Sequence, residues 1–317
     1  MRIVIPGGNG QIGRILARAA QVRGHHVTIL SRRPMQGPWD HVTWDGRTLG
    51  PWTSVIDGAD VVINLAGRSV DCRYTPANRQ EILTSRVDST RVIGAAIAQA
   101  ARPPRVWLQA GTATIYSHRY DAAQDEAHGI LGGNEPHAPD TWRFSIEVAQ
   151  AWEAATKAVN LPQTRTVILR SAMVMSPDHG GVFDVILRLV RWGLGGPWGN
   201  GRQFMSWIHD QDFLRAVFYL IESSDLAGPV NLAAPTPLPQ AEFMRALRTA
   251  WGIRLGLPTP GPLLELGALV LRTETELTLK SRRVVPQRLQ DSGFTFDHPT
   301  WPEAAAELCQ RWRQGHP

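Results

Sequence analysis

Short apolar stretches alternate with amphipathic ones along the first 170 residues. The apolar stretches end at glycine, proline or polar residues, which is typical of buried strands. They lie at 2–5, 26–30, 41–44, 60–66, 105–110 and 165–170. The amphipathic stretches repeat apolar residues at steps of three and four, which predicts helices at 11–23, 76–101 and 140–160. This alternation predicts an α/β protein with a doubly wound parallel sheet covered on both faces.

The pattern loosens after residue 170, where glycine and proline interrupt the helices. Helices are predicted at 182–192, 212–224, 240–251, 262–272 and 300–313, and a late strand at 229–234. We expect residues 1–170 to form the sheet domain, to which the chain returns around 205–234. Residues 171–317 would form a smaller, mostly helical lobe over the carboxyl ends of the strands, where open α/β sheets bind ligands.

The bulk composition is that of a globular protein, with 43% hydrophobic and 19% charged residues. No apolar run approaches the roughly 18–20 residues of a membrane helix, and the N-terminus lacks the pattern of a signal peptide. Cys72 and Cys309 are too few for a disulfide framework or a zinc site, and the pair His25-His26 lacks metal partners nearby. We therefore expect a cytoplasmic protein that binds neither a metal nor a membrane.

The chain is basic, with a net charge of +5 and a pI of about 9.7. Lys157 and Lys280 are its only lysines, so arginine supplies nearly all of the positive charge. A nucleic-acid-binding protein clusters its basic residues on one element, whereas here the densest groups are only SRRP (31–34) and SRR (281–283). We expect an anionic small molecule as the partner, no nucleic acid, and a monomer or homodimer.

Gly7, Gly10 and Gly13 form the pattern G-x-x-G-x-x-G between the first strand and the first helix. The first glycine permits a tight turn, the second lets backbone N–H groups approach a pyrophosphate, and the third lets helix and strand pack closely. The helix N-terminus adds a partial positive charge. The pattern and its place predict a Rossmann domain that binds a dinucleotide; a glycine-rich turn without a ligand is the alternative.

The residues at the end of the second strand indicate which dinucleotide binds. An NAD site places an acidic residue there to hold the ribose hydroxyls. This chain has Ser31, Arg32 and Arg33 instead, and arginine offers paired donors to phosphate oxygens. The sequence therefore favours NADP(H), with a solvated basic loop as the alternative.

Four later stretches give the chain a more specific resemblance. They are INLAG (63–67), SRVDST (85–90), GLGGPWGNGRQFMSWIHDQD (193–212) and VVPQRLQDSGFTF (284–296). With the glycine turn, they make the whole chain resemble the extended or atypical short-chain dehydrogenase/reductase superfamily. More narrowly, it is similar to sugar-nucleotide-epimerase-like proteins of the epimerase family that carry a C-terminal domain of the DUF1731 type.

The resemblance implies a set of cofactor contacts. Pyrophosphate contacts are implied for Gly7, Asn9, Gly10, Gln11 and Ile12, and adenosine contacts for Ser31 and Arg32 at the phosphate and Asp45 at the adenine. Leu65, Ala66 and Gly67 would line the cofactor after the fourth strand. Apart from the resemblance, Arg86 and Ser89 lie on the long helix after that strand, within reach of the cofactor, although Arg86 also fits a solvated helix face.

The resemblance also implies where proton chemistry would occur. TATIY (112–116) matches the motif whose hydroxyl polarises the substrate, which assigns that role to Thr112 and brings Tyr116 near the reacting centre. The superfamily's proton donor is a tyrosine four residues before a lysine on the next helix, where the lysine lowers the tyrosine pKa and holds the nicotinamide ribose. Here these positions hold Phe144 and Val148, which we expect to face the sheet.

The missing pair leaves three explanations open. Another acid could substitute, with Tyr116 and His209 as candidates. The substrate could need no strong proton donor. The protein could also bind NADP(H) without catalysing a reaction.

A second polar cluster lies in GNGRQFMSWIHDQD (199–212). An arginine in this region meets the substrate in related sugar-nucleotide enzymes, which suggests Arg202 here. Gln203, Trp207 and His209 offer further polar and aromatic groups, and Trp207 could stack on a ring. The alternative is that Asp210 caps the following helix while Trp207 belongs to the core.

Together these features predict an NADP(H)-binding protein that oxidises, reduces or epimerises a polar small molecule of the sugar-nucleotide kind. The main rival is a non-catalytic NADP(H)-binding sensor or scaffold. Nucleic-acid binding driven by the basic pI is a weaker third possibility, and it would show an affinity that falls steeply with salt.

Overall fold

A computed structural model describes residues 1–34, 36–135, 139–223, 225–259 and 279–315. Its strands are β1 (Arg2–Pro6), β2 (His26–Ser31), β3 (Asp40–Thr43), β4 (Val61–Asn64), β5 (Val106–Thr112), β6 (Arg165–Ser171), β7 (Met173–Met175), β8 (Phe204–Met205), β9 (Trp207–His209), β10 (Gly228–Leu232) and β11 (Leu238–Pro239). Seven of them form a parallel sheet in the order β10-β6-β5-β4-β1-β2-β3. The predicted doubly wound α/β fold is thereby confirmed.

The described helices match the predicted ones with small differences at their ends, except for the short α7, which was not predicted. They are α1 (Gln11–Val22), α2 (Pro76–Gln99), α3 (Asp140–Lys157), α4 (Val182–Arg191), α5 (Asp210–Glu222), α6 (Gln240–Trp251), α7 (Gln287–Asp291) and α8 (Trp301–Gly315). Two short 3-10 helices cover Pro51–Val55 and Ala113–Ile115. The helix predicted at 262–272 lies outside the described residues.

Alternation along β1 shows why the sheet is covered on both faces. Ile3 and Ile5 pack into one core cluster with residues of α1 and α5. Val4 points to the opposite face and packs into another cluster with Ile93 of α2. Successive side chains of a strand point to opposite faces, so an entirely apolar strand needs a helix on each side.

The strand order reverses between β1 and β4, which places a crevice at their carboxyl ends. Strand β1 pairs with β2 on one side and with β4 on the other, all in parallel. The chain leaves β1 towards α1 on one face, and it leaves β4 towards α2 on the opposite face. Open α/β sheets bind their ligands at such a reversal.

The carboxyl-terminal part of the chain contributes to two cores. Helices α4, α6 and α8 form a separate apolar cluster around Phe243 and Trp301. Leu289 of α7 and Phe294 instead pack into the core of the sheet. Two small strand pairs, β7 with β9 and β8 with β11, were not predicted because two or three residues carry too little periodicity to reveal a strand.

Candidate functional site

Three glycines shape the turn between β1 and α1. A side chain on Gly7 or Gly13 would collide with nearby backbone, and one on Gly10 would fill an open space. Gly7 has a φ of +76°, and a Cβ on it would lie 2.6 Å from the backbone of Ala66. A Cβ on Gly13 would collide with the backbone of Gly8, so the third glycine lets α1 pack onto the turn. A Cβ on Gly10 would meet no atom nearer than 3.8 Å. The turn therefore keeps an open face at Gly10 beside the start of α1.

The start of α1 presents donors to that open face. Gly10 is its N-cap, and neither a side-chain cap nor an acidic residue in the first turn competes for the N–H groups. The buried Nε2 of Gln11 has no hydrogen-bond partner among the described residues and lies against Gly181, the N-cap of α4. A buried donor without an acceptor is costly, so this arrangement fits an anionic group such as a pyrophosphate.

Two arginines with open guanidinium groups follow β2. Arg32 and Arg33 are exposed, and their side chains have no partner within the described part of the chain. Ser31 is only 2% exposed: its hydroxyl donates to the carbonyl of Arg33 at 2.6 Å and lies 2.8 Å from Nε2 of His41. The Ser31 hydroxyl thus shapes the loop that presents the arginines, and contact between Ser31 and a phosphate stays a prediction.

Asp45 closes the turn after β3. Its carboxylate accepts the backbone N–H groups of Arg47 and Thr48 at 2.8 and 2.9 Å, and the Thr48 hydroxyl at 2.6 Å. The hydrogen bonds from Thr48 and Arg47 lower the pKa of the Asp45 carboxyl. The carboxylate is thus occupied within its own turn, and contact between Asp45 and an adenine remains a prediction.

The backbone after β4 is held against the glycine turn. The side-chain oxygen of Asn64 accepts the N–H of Ala66 at 3.1 Å, and its amide donates to Gln109 on β5 at 2.9 Å. Arg86 of α2 lies directly against Gly67. Residues 65–67 therefore lie at the reversal of the sheet, as predicted for the cofactor wall. The two buried amides were not predicted, although each is a polar position within an apolar strand.

Thr112 ends β5 with a hydroxyl that can still donate. Its oxygen accepts the N–H of Thr114 at 3.2 Å, and its proton has no acceptor among the residues that the structure describes. Nζ of Lys280, a residue only 1% exposed, donates to the carbonyl of Thr114 at 2.9 Å. The carboxyl-terminal part of the chain thus braces the loop that carries Thr112. Lysine is rare in this chain, and that rarity was the only sign of a role for Lys280.

Phe144 and Val148 of α3, which the sequence assigns to the tyrosine and lysine positions, lie in an apolar environment. Both are buried, in one cluster with Ile82 of α2 and with Tyr74. The rings of Tyr74 and Phe144 meet edge to face at 5.1 Å. The expectation that these two positions face the sheet was wrong, because they pack against α2. On α3 it is Ala149 that packs against Ala113 and Ile115, just after β5.

Tyr116 lies in a buried network and is not open to a substrate. Its ring is 2% exposed, and its hydroxyl donates to Oδ1 of Asn231 at 2.9 Å and accepts from Nη1 of Arg170 at 2.8 Å. Arg170 also forms a two-pronged ion pair with Glu153 at 2.7 and 2.9 Å. Burial raises the pKa of the Tyr116 phenol, which makes it a poorer acid. A role for Tyr116 at the reacting centre stays a prediction, and both hydrogen-bonding sides of its hydroxyl are occupied in this network.

Arg202 and Gln203 are neighbours in the chain, but Arg202 is exposed and Gln203 is buried. Arg202 is exposed, and its guanidinium has no partner within the described ranges. Gln203 is 2% exposed, and its Nε2 donates to the carbonyl of Trp198 at 3.0 Å. Gln203 supports the glycine-rich loop, so Arg202 is the one of the two that a substrate could reach.

Trp207 and His209 are also structural. Trp207 is fully buried against the ring of Trp301 at 5.0 Å, which bears out the core alternative. His209 is fully buried and is the N-cap of α5, one residue before the predicted Asp210. Its Nε2 lies 2.8 Å from a carboxylate oxygen of Glu307. Both side chains are fully buried, so the substrate contacts predicted for Trp207 and His209 stay untested predictions that this burial does not favour.

The described residues contain no helix long and apolar enough to cross a membrane. Within the same residues, no cluster of three or more histidine, cysteine, aspartate or glutamate side chains could hold a metal ion. The candidate site is therefore built from backbone donors, arginine side chains and a threonine hydroxyl.

Known families match nearly all of the chain. The model of the NAD dependent epimerase/dehydratase family matches residues 3–233, and a domain of unknown function, DUF1731, matches residues 259–308. The chain belongs to the NAD dependent epimerase/dehydratase family. A relative from Bos taurus, epimerase family protein SDR39U1, is 34% identical over 97% of this chain and 99% of its own length.

Solved structures of the family share the fold. Human epimerase family protein SDR39U1 (isoform 2) with NADPH is 30% identical, covers 98% of this chain and 99% of its own, and superposes with a TM-score of 0.84. The nucleoside-diphosphate sugar epimerase from Corynebacterium glutamicum is 25% identical with a TM-score of 0.74, and the match covers 98% of this chain and 58% of that protein. The fold and the family are therefore those that the sequence motifs indicated.

Proposed function

We propose that this chain binds NADP(H) at the carboxyl ends of β1, β2 and β4, and uses it to oxidise, reduce or epimerise a polar small molecule of the sugar-nucleotide kind. The observation that carries the proposal is the open face at Gly10, where the uncapped start of α1 and the unpartnered amide of Gln11 converge. The similarity to a human protein that binds NADPH and to a nucleoside-diphosphate sugar epimerase supports it.

The residues of the crevice fit the two charged parts of the coenzyme. The N–H groups from Asn9 to Gly13 would hold the pyrophosphate, and Arg32 and Arg33 would hold the 2′-phosphate. When bound, the nicotinamide ring supplies or accepts a hydride. Thr112 would donate its free hydroxyl proton in a hydrogen bond to the substrate oxygen, and Arg202 would hold an anionic part of the substrate.

The geometry narrows the three explanations for the missing tyrosine and lysine. Tyr116 and His209 lie in buried networks, which argues against a substitute acid at either position. If the chain is an enzyme, the second explanation then fits best: the substrate needs no strong proton donor, and a hydrogen bond from Thr112 to its oxygen is enough. The apolar contacts of Phe144 and Val148 equally favour a second candidate function, NADP(H) binding without turnover.

Calorimetric titration with NADPH and NADH tests the coenzyme assignment. Wild-type protein should prefer NADPH at least tenfold or so. The double variant Arg32→Gln/Arg33→Gln should lose at least about 100-fold in NADPH affinity, because it removes two charge-assisted hydrogen bonds of about 1.5–3 kcal/mol each, while its NADH affinity stays the same. Arg245→Gln, an exposed arginine on α6, serves as the matched control. Equal affinity for both coenzymes in the wild type would contradict the assignment.

Turnover with carbonyl compounds and nucleotide sugars separates the two candidate functions. If the chain is an enzyme, Thr112→Val should lower kcat/KM by about 10²- to 10³-fold, since one donor to a developing oxyanion is worth that much. Thr112→Ser keeps the hydroxyl and should retain most of the activity. Tight NADPH binding without turnover of any compound would favour the non-catalytic function.

A further inference from the structure

The guanidinium of Arg86 lies between α3 and the backbone that follows β4. A Cβ on Gly67 would be 3.2 Å from Cγ and 3.4 Å from Nη1 of Arg86. Nη1 donates to the carbonyls of Arg68 and Ile82, both at 3.0 Å. Cζ lies 5.1 Å from the centre of the Trp152 ring on α3. Arg86 thus spans from α2 to α3 directly beside the predicted cofactor wall.

This location coincides with the part of α3 that lacks its lysine. Val148, at the lysine position, lies one helical turn before Trp152, on the same face of α3. Val148 is a short apolar residue packed near Ile82, the residue whose carbonyl Arg86 contacts. The positive charge in this region therefore belongs to Arg86 on α2, whereas in the superfamily pattern it belongs to a lysine on α3.

Arg86 differs from Arg170 and Arg311 in having no carboxylate partner among the described residues. Arg170 pairs with Glu153, and Arg311 pairs with Asp210. Arg86 forms no ion pair with any described residue, and its Nε and Nη2 have no hydrogen-bond acceptor there. Burial lowers the pKa of its guanidinium to about 10, so the group stays charged at neutral pH but is poorly compensated. A sheltered cation without a counter-charge is costly unless a ligand supplies one.

Given the proposed binding of NADP(H), we propose that Arg86 takes over the charge of the missing lysine: its Nε and Nη2 groups hold the nicotinamide half of the coenzyme and the negative charge that develops on the substrate oxygen. Arginine keeps its proton throughout, so Arg86 stabilises charge and hydrogen-bonds without transferring a proton. Val148 fits this arrangement, since a lysine there would bring a second positive charge close to Arg86.

Calorimetry with two ligands distinguishes this role from a structural one. NADPH contains the nicotinamide half, whereas 2′,5′-ADP contains only the adenosine half with its phosphates. Arg86→Gln should weaken NADPH binding about tenfold or more and leave 2′,5′-ADP binding within about twofold of wild type. Arg91→Gln, an exposed arginine on the same helix, should change neither affinity.

The outcomes separate this inference from the proposed function. Wild-type protein that binds neither ligand would overturn both, whereas wild-type binding of NADPH that Arg86→Gln leaves unchanged would overturn this inference alone. Equal weakening of both ligands, or a lower melting temperature without ligand, would show that Arg86 acts on the fold. Arg86→Lys keeps the charge with fewer donors and should bind NADPH more tightly than Arg86→Gln; failure to do so would rule out the role of the charge.

Discussion

At the residue scale, the glycine turn shows one amino acid serving three physical needs. Gly7 takes a left-handed φ of +76° and lies close to the backbone after β4. Gly13 lets α1 pack against the turn, and Gly10 keeps space open. The sequence predicted these three roles because the spacing places each glycine at a definite point of a strand–turn–helix unit.

Alanine substitutions separate packing from ligand access. Gly13→Ala should lower the free energy of unfolding by about 1–3 kcal/mol, because its Cβ would overlap the backbone of Gly8. Gly10→Ala should lower the free energy of unfolding by less than about 1 kcal/mol, since only an N-cap glycine is replaced. The same variant should weaken NADPH binding at least about tenfold, because the added methyl group fills the open face. Urea unfolding and NADPH titration measure the two effects. Unchanged NADPH affinity in Gly10→Ala would contradict the proposal that the pyrophosphate binds at Gly10.

At the element scale, a buried polar network ties β6, β10 and α3 to Tyr116, which follows the 3-10 helix after β5. Arg170 of β6 contacts Glu153 of α3 and the hydroxyl of Tyr116, which in turn contacts Asn231 of β10. Buried charges require such partners, because each lone member would lose its hydration without compensation. The network occupies the hydroxyl of Tyr116 on both its donor and its acceptor side.

Variants of this network should change stability without changing coenzyme binding. Glu153→Gln should lower the free energy of unfolding by about 3–5 kcal/mol, because Arg170 would be left as a buried unpaired charge. Tyr116→Phe removes one hydroxyl and should cost about 1–3 kcal/mol. Lys157→Gln removes only the exposed partner of Glu153 and should cost less than about 1 kcal/mol. A stable Tyr116→Phe protein that binds NADPH but has lost turnover would restore Tyr116 as a catalytic residue.

At the scale of the whole molecule, the junction of α5 and α8 joins the sheet to the carboxyl-terminal helices. His209 caps α5 and contacts Glu307 of α8, and the centre of its ring lies 3.8 Å from that of His298, with the two rings tilted by 31°. Burial lowers the pKa of His209 below its ordinary value of 6.5, although Asp210 and Glu307 act in the opposite direction. A neutral, buried histidine therefore lies at this junction.

This lowered pKa makes the stability depend on pH. As the pH falls below about 6.5, His209 gains a proton in the unfolded chain before it does so in the folded protein. The contribution of His209 to the stability of the folded protein is therefore complete above pH 6.5. It is lost as the pH falls from there towards the pKa that His209 has in the folded protein. We expect the melting temperature to fall from pH 7 to pH 5, and to fall less steeply in His209→Asn, which retains a capping side chain. The exposed His26→Asn is the control; equal slopes in His209→Asn and wild type would contradict the assignment.

The sequence by itself determined the seven strands of the main sheet, the longer helices that the structure describes and the glycine turn. Each of these follows from local periodicity or from backbone freedom at single residues, which short segments carry without their surroundings. The basic end of β2 and the apolar residues at the tyrosine and lysine positions were equally visible, because they follow from residue type at a known place in the pattern.

Only the tertiary structure decided which polar side chains remain open. The hydroxyl of Tyr116 is satisfied by Arg170, 54 residues away, and by Asn231, 115 residues away, and His209 meets Glu307 across 98 residues. The surroundings of Arg86 were decided in the same way, by its contacts with the loop after β4 and with Trp152 of α3. A side chain's accessibility and charge compensation depend on what distant segments pack against it, and local pattern carries no information about that packing.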